Sequence, residues 1–120
     1  MSAARQSFAK VQLLGTVGSV YFRETKDGVK FINYSLAVNR YNGQEEEQTA
    51  DWFSISVFNE RAIQTFEKIL KPGMQLFVEA DVKQRQVQDE QSGQNYNLWS
   101  LKQNSFDVVR FAKNKEEQVE

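Results

Sequence analysis

The sequence predicts an all-β fold, a small barrel carrying one short helix, and three observations lead there. Apolar and polar residues alternate at period two through five stretches of the 120-residue chain, the pattern of strands with one buried face. The period changes to 3.6 once, over Ala62, Ile63, Phe66, Ile69 and Leu70. The resulting order is strand, strand, strand, helix, strand, strand. That is the layout of an OB-fold, a five-stranded Greek-key barrel with its helix between strands 3 and 4. A two-layer α+β sheet has the same element count, so the order alone leaves that alternative open.

Residues 1–7 read as a flexible N-terminal arm, 8–111 as the OB-fold domain and 112–120 as a short charged tail. In the first strand Val11, Leu13, Val17 and Tyr21 lie on one alternation, and Leu14, Val20 and Phe22 on the other. Gly15 and Gly18 interrupt it, as glycines do at bulges and bends. The expectation is one long strand that curls and pairs with both halves of the barrel. Lys26-Asp27-Gly28 marks a turn. A second strand follows over Val29–Tyr41, with Leu36 and Val38 facing inward, and a polar loop over 42–50.

The third strand, Asp51–Asn59, puts Phe53, Ile55 and Val57 on one face and Trp52, Ser54, Ser56 and Phe58 on the other. Asn59 suits a helix N-cap, and Lys71-Pro72-Gly73 stops the helix. In the fourth strand, Met74 to Val87, Leu76, Val78, Ala80 and Val82 alternate with Phe77, Glu79, Asp81, Lys83 and Arg85. After a polar turn at Ser92-Gly93, the fifth covers Tyr96–Phe111, broken near Gln103-Asn104.

Composition excludes several function classes. Fifteen basic residues face sixteen acidic ones, so polyanion binding has to come from a local arrangement of charge. There is no Cys and no His. This removes disulfides, zinc sites on those ligands, Cys nucleophiles and the Ser-His-Asp triad. The expectation is a protein that is not an enzyme and uses no cofactor or metal. Glu79 and Asp81 share a strand face but bring no third carboxylate for magnesium. Gly15-Thr16-Val17-Gly18 spells a G-x-x-G, but in a strand rather than between the helices where that loop clamps phosphates. No run of 18 apolar residues exists to span a membrane.

Nine Phe, four Tyr and two Trp ask for either a heavy core or an exposed use of rings. The Trp52/Ser54/Ser56/Phe58 face is polar in its middle, and burying it would strand two hydroxyls. It therefore faces water or a ligand, and rings on a hydroxyl-lined sheet form a stacking platform for bases. The second strand repeats the theme with Phe31, Asn33, Ser35, Asn39 and Tyr41. The candidate stacking residues are Trp52, Phe58, Tyr41, Phe31 and Phe77; the candidate phosphate contacts are Lys30, Arg40, Arg61, Lys83 and Arg85. Glu45-Glu46-Glu47 is expected at a loop tip turned away. The competing readings tuck Trp52 and Phe58 under a loop or into a subunit contact, and make the second strand part of a half-solvated antiparallel sheet with a polar outer face.

These residues carry a resemblance. Val11–Gly18, Tyr34–Ala37, Asp51–Asn59, Leu70–Ala80 and Asp89–Gln94, in this order over roughly 10–111, are similar to the single-stranded-DNA-binding proteins of bacteria and mitochondria. The resemblance implies a homotetrameric OB-fold that binds and protects single-stranded DNA without sequence preference during replication, alongside other replication proteins. It places Trp52 and Phe58 at two of the family's stacking positions. A third family tryptophan falls at Asn42, beside Tyr41, and a fourth at Val87, where the ring is missing. The chain stops at Gln118-Val119-Glu120 without the family's bacterial acidic tip, and Glu24 is its first acidic residue. Both features resemble the mitochondrial branch, so the expected location is the mitochondrial matrix or nucleoid, with the bacterial cytoplasm as the alternative. An RNA-binding OB module and a protein-assembly OB-fold that binds no nucleic acid are the competing functions.

Overall fold

A computed structural model describes residues 7–41 and 48–112. The elements follow the expected order: β1 (Lys10–Glu24), β2 (Lys30–Tyr41), β3 (Gln48–Val57), α1 (Glu60–Ile69), β4 (Gln75–Gln88) and β5 (Asn95–Arg110). The strands close into a barrel in the order β1-β2-β3-β5-β4, with β4 returning to β1. The β3–β5 pair is parallel and the others are antiparallel. This is the OB-fold barrel, with its helix between β3 and β4. The loop expected over 42–50 is shorter than its composition implied. Gln48, Thr49 and Ala50 pair with Tyr41, Arg40 and Asn39, because the backbone ladder holds polar residues in strand where no core is needed. Tyr41's side chain, Asn42 and the Glu45–Glu47 run lie outside the described residues.

Closure depends on β1. Its first half, Lys10 to Thr16, pairs with β4, and its second half, Thr16 to Glu24, pairs with β2. Between the Val17–Leu36 and Val20–Tyr34 pairs, two residues of β1 oppose Ser35 alone, which is a β-bulge at Gly18-Ser19. The extra residue reverses the alternation. Val17 and Val20 both turn to the core, and Tyr21 leaves the alternation it shares in sequence with Leu13 and Val17. Gly15 is needed at the bend, where a Cβ would stand 2.5 Å from the Ala37 carbonyl oxygen.

The expected break in β5 is a second bulge. Gln103 pairs with Ala80 and Ser105 with Glu79, leaving Asn104 unpaired in the ladder, and its side-chain amide donates to Asp81 Oδ1 at 2.8 Å. As a result Gln103 points inward at 4% exposure, while Phe106 and Val108 still reach the core.

The core combines Ile32, Tyr34, Leu36, Ile55 and Val57 with Leu76, Val78 and Ala80. Helix α1 plugs one end of the barrel with Ile63 and Phe66. Asn59 Oδ1 accepts from the Ala62 N–H at 3.0 Å, an N-cap as the sequence predicts. Gly73 takes a φ of 96° at the exit, and its N–H donates to the Val17 carbonyl at 2.8 Å, tying the helix exit to the curl of β1. Phe66 meets Tyr34 edge-on at 5.8 Å and Phe106 at 4.3 Å. The Tyr34 hydroxyl donates to Gln103 Oε1 at 2.6 Å, and burial pushes that hydroxyl well above its ordinary pKa.

Replacing Tyr34 by Phe keeps the ring contacts but leaves a buried Gln103 acceptor without its donor. Tyr34→Phe is expected to lower stability in urea unfolding by about 1–3 kcal/mol with an unchanged m-value. A midpoint equal to the parent's would show that this bond contributes nothing.

Candidate nucleic-acid interface

The outer wall of β2 and β3 carries the candidate site. Directly opposite residues share a face, so the pairs Ala37–Trp52, Ser35–Ser54 and Asn33–Ser56 form one surface. Several of its polar groups bond one another. Ser56 donates to Asn33 Oδ1 at 2.8 Å, the Ser19 N–H donates to Ser35 Oγ at 2.8 Å, and the two hydroxyls of Ser19 and Ser35 stand 3.0 Å apart. A ligand can therefore cover this floor without leaving those bonds unmade.

Rings flank the floor at both ends. At one end Phe58, just past the end of β3, stacks on Phe31 with ring centres 5.2 Å apart and planes 15° apart. At the other, Trp52 is 62% exposed. Its indole occupies the space above Gly18, where a Cβ would stand 2.5 Å from the ring. The glycine that belongs to the bulge thus also admits the tryptophan.

Charge enters from β5. The parallel pairing sets Ser56 beside Lys102, whose Nζ lies 5.8 Å from the centre of the Phe58 ring. Ser56, Phe58, Lys83, Ser100, Leu101 and Lys102 line an open groove of about 420 Å³. Neither lysine is in an ion pair among the described residues.

The structure thus brings together Trp52, Phe58, Phe31 and Lys83. Arg85 follows on the same face of β4, opposite Leu98. The other candidates sit elsewhere. Arg40 falls on the alternation of Leu36 and Val38, and its Nε donates to Asp51 Oδ2 at 2.6 Å, so a carboxylate already occupies it. Lys30 lines a cavity that shares Phe58 with the site but holds Glu60 and Glu67, acidic company that disfavours a phosphate. Arg61 lies on α1 in a groove with Asn104 and Ser105. Phe77 is on the β1–β4 wall, opposite Leu14 and Asp107.

Lys102 is the candidate that sequence reasoning missed. Nothing local distinguishes it; only the β3–β5 register sets it beside Ser56. The outer part of the β4–β5 hairpin also exposes Tyr96, Leu98 and Trp99, the last 65% open. Its sequence signal was the closeness of Tyr96, Leu98 and Trp99, three large apolar residues within four positions.

Fold and site together define an OB-fold domain with an open, ring-bearing face edged by lysines. Residues 8–109 match the single-strand binding protein family, and the chain belongs to that family. A single-stranded DNA-binding protein of Rhizobium meliloti is 32% identical over 96 residues, 75% of this chain and 55% of that protein. The mitochondrial single-stranded DNA-binding protein Rim1 of Saccharomyces cerevisiae is 27% identical over 115 residues, 94% of this chain and 81% of its own. A crystal structure of Rim1 superimposes with a TM-score of 0.74 at 26% identity, covering 89% of this chain and all of that one. The chain therefore spans about half the length of the Rhizobium relative.

Gly18→Ala is expected to push the indole off its seat while leaving the barrel closed. In a Trp99→Phe background, Trp52 is the only tryptophan, and its emission spectrum reads the displacement. An unchanged spectrum would mean that Gly18 does not seat the ring.

Proposed function

We propose that this chain binds single-stranded DNA without sequence preference and protects it during replication and maintenance of a genome. The observation that carries the reading is the outer face of β2 and β3, where Trp52, Phe31 and Phe58 flank a hydroxyl-lined floor on which Ser56 bonds Asn33 and Ser35 bonds Ser19. Every base has a π-face, so rings on such a floor accept any sequence. Lys83 and Lys102 lie within reach of phosphates along the Phe58 groove. The relatives' names support the same ligand.

Binding is read by quenching of tryptophan fluorescence with oligo-dT at several salt concentrations. Trp52→Ala and Phe58→Ala are each expected to cost about 1–3 kcal/mol of affinity and leave the salt slope nearly unchanged. Lys102→Gln is expected to flatten the slope of log K against log salt by about 0.7. Arg40→Gln should flatten it less, since Asp51 holds that guanidinium. A parent protein that shows no response to oligo-dT overturns the reading and favours an assembly role.

We further propose a homotetramer and a place in the mitochondrial matrix. The tetramer is supported by Leu14 and Phe77, exposed side by side on the β1–β4 wall away from the stacking floor. Sedimentation is expected to give a mass of four chains, reduced by Leu14→Glu; a monomer at micromolar concentration removes the claim. The location is supported by the yeast mitochondrial relative, which aligns over most of both chains. Recovery of the protein from a bacterial cytoplasm rather than from mitochondria would reverse it.

A further inference from the structure

The bulge in β1 has a second effect on the site. Because two residues oppose Ser35, the outer alternation resumes at Tyr21 and Arg23, which pair with Asn33 and Phe31. Asn33 pairs in turn with Ser56, and Ser56 with Lys102. One row therefore crosses four strands as Tyr21, Asn33, Ser56 and Lys102. The neighbouring row holds Arg23 beside Phe31, whose ring stacks on Phe58. The stacking floor is wider than β2 and β3: it continues onto β1, with a cation at each edge.

The two residues at the β1 edge are built as a unit. Tyr21 is 52% exposed, and the Arg23 guanidinium carbon lies 5.0 Å from the centre of its ring. Arg23 is exposed and in no ion pair among the described residues, where Lys10–Glu79 and Arg40–Asp51 are the two present. It is thus an available cation, held over a ring rather than ranging freely, so less side-chain entropy is lost when it meets a phosphate.

We propose that Tyr21 and Arg23 form the far edge of the single-stranded DNA interface, Tyr21 contacting a base and Arg23 the adjoining phosphate. The strand would enter or leave across β1 after passing Phe31 and Phe58. This rests on the reading of the Trp52–Phe58 face as a DNA site, and the test separates the two.

The experiment measures anisotropy of labelled oligo-dT at graded salt for the parent, Tyr21→Ala, Tyr21→Phe, Arg23→Gln and Trp52→Ala, each with its thermal melt. Tyr21→Ala is expected to weaken binding about 5- to 100-fold, with Tyr21→Phe near the parent because the ring is kept. Arg23→Gln is expected to weaken binding and flatten the salt slope by about 0.7. If Tyr21→Ala and Arg23→Gln match the parent while Trp52→Ala is weakened, the proposal is overturned and the wider reading stands. If Arg23→Gln weakens binding at an unchanged slope, the phosphate assignment is overturned. If the parent itself fails to bind, both readings are overturned together. Both residues lie on the surface, and a melting temperature equal to the parent's excludes unfolding as the cause.

Discussion

The barrel closes through one strand that divides its length between two neighbours. β1 gives its first half to β4 and its second half to β2, and Thr16 is paired with both. A regular strand is too straight to do this, so the chain needs local relief at the crossover. Gly15 supplies it by approaching Ala37 without a Cβ, and the Gly18-Ser19 bulge supplies the extra twist. The main-chain bonds between Val17 and the Met74 and Gly73 groups then fasten the helix exit to the same place. Closure leaves few open edges, which a small all-β domain must otherwise protect.

The site is a by-product of that curl. At the bulge Gly18 leaves room beneath Trp52, and Ser19 meets Ser35 through its N–H and hydroxyl. It also carries Tyr21 and Arg23 onto the outer face. On the floor between the rings Ser56 bonds Asn33 and Ser35 bonds Ser19, so covering it with bases leaves those bonds in place. An apolar floor of the same shape would invite protein partners indiscriminately.

With a net charge of −1, the chain has no general attraction for a polyanion. The proposed attraction therefore rests on particular cations on one wall. Asp51 holds Arg40, and Lys30 faces Glu60 and Glu67. The division places rings at the centre and charge at the edges, the arrangement in which the proposed binding would split into a salt-resistant part from the rings and a salt-sensitive part from the lysines.

Much of this was legible in the sequence, because some signals are local. Period-two patterning marked every strand, the change to 3.6 marked α1, and Asn59 and Pro72-Gly73 bounded it. Trp52, Ser54, Ser56 and Phe58 sit on one strand, so their common face follows from alternation alone. Local spacing also hinted at two of the bulges, through Gly18 and through the interruption at Gln103-Asn104. What the sequence could not decide is how strands align with one another. The β3–β5 register brings Lys102 to Ser56, and the β2–β3 register gives Arg40 to Asp51. The reversal at the bulge takes Tyr21 off the core face, where unbroken alternation had put it. Alternation specifies which face a residue takes within one strand; only closure of the barrel decides which residues of distant strands stand side by side.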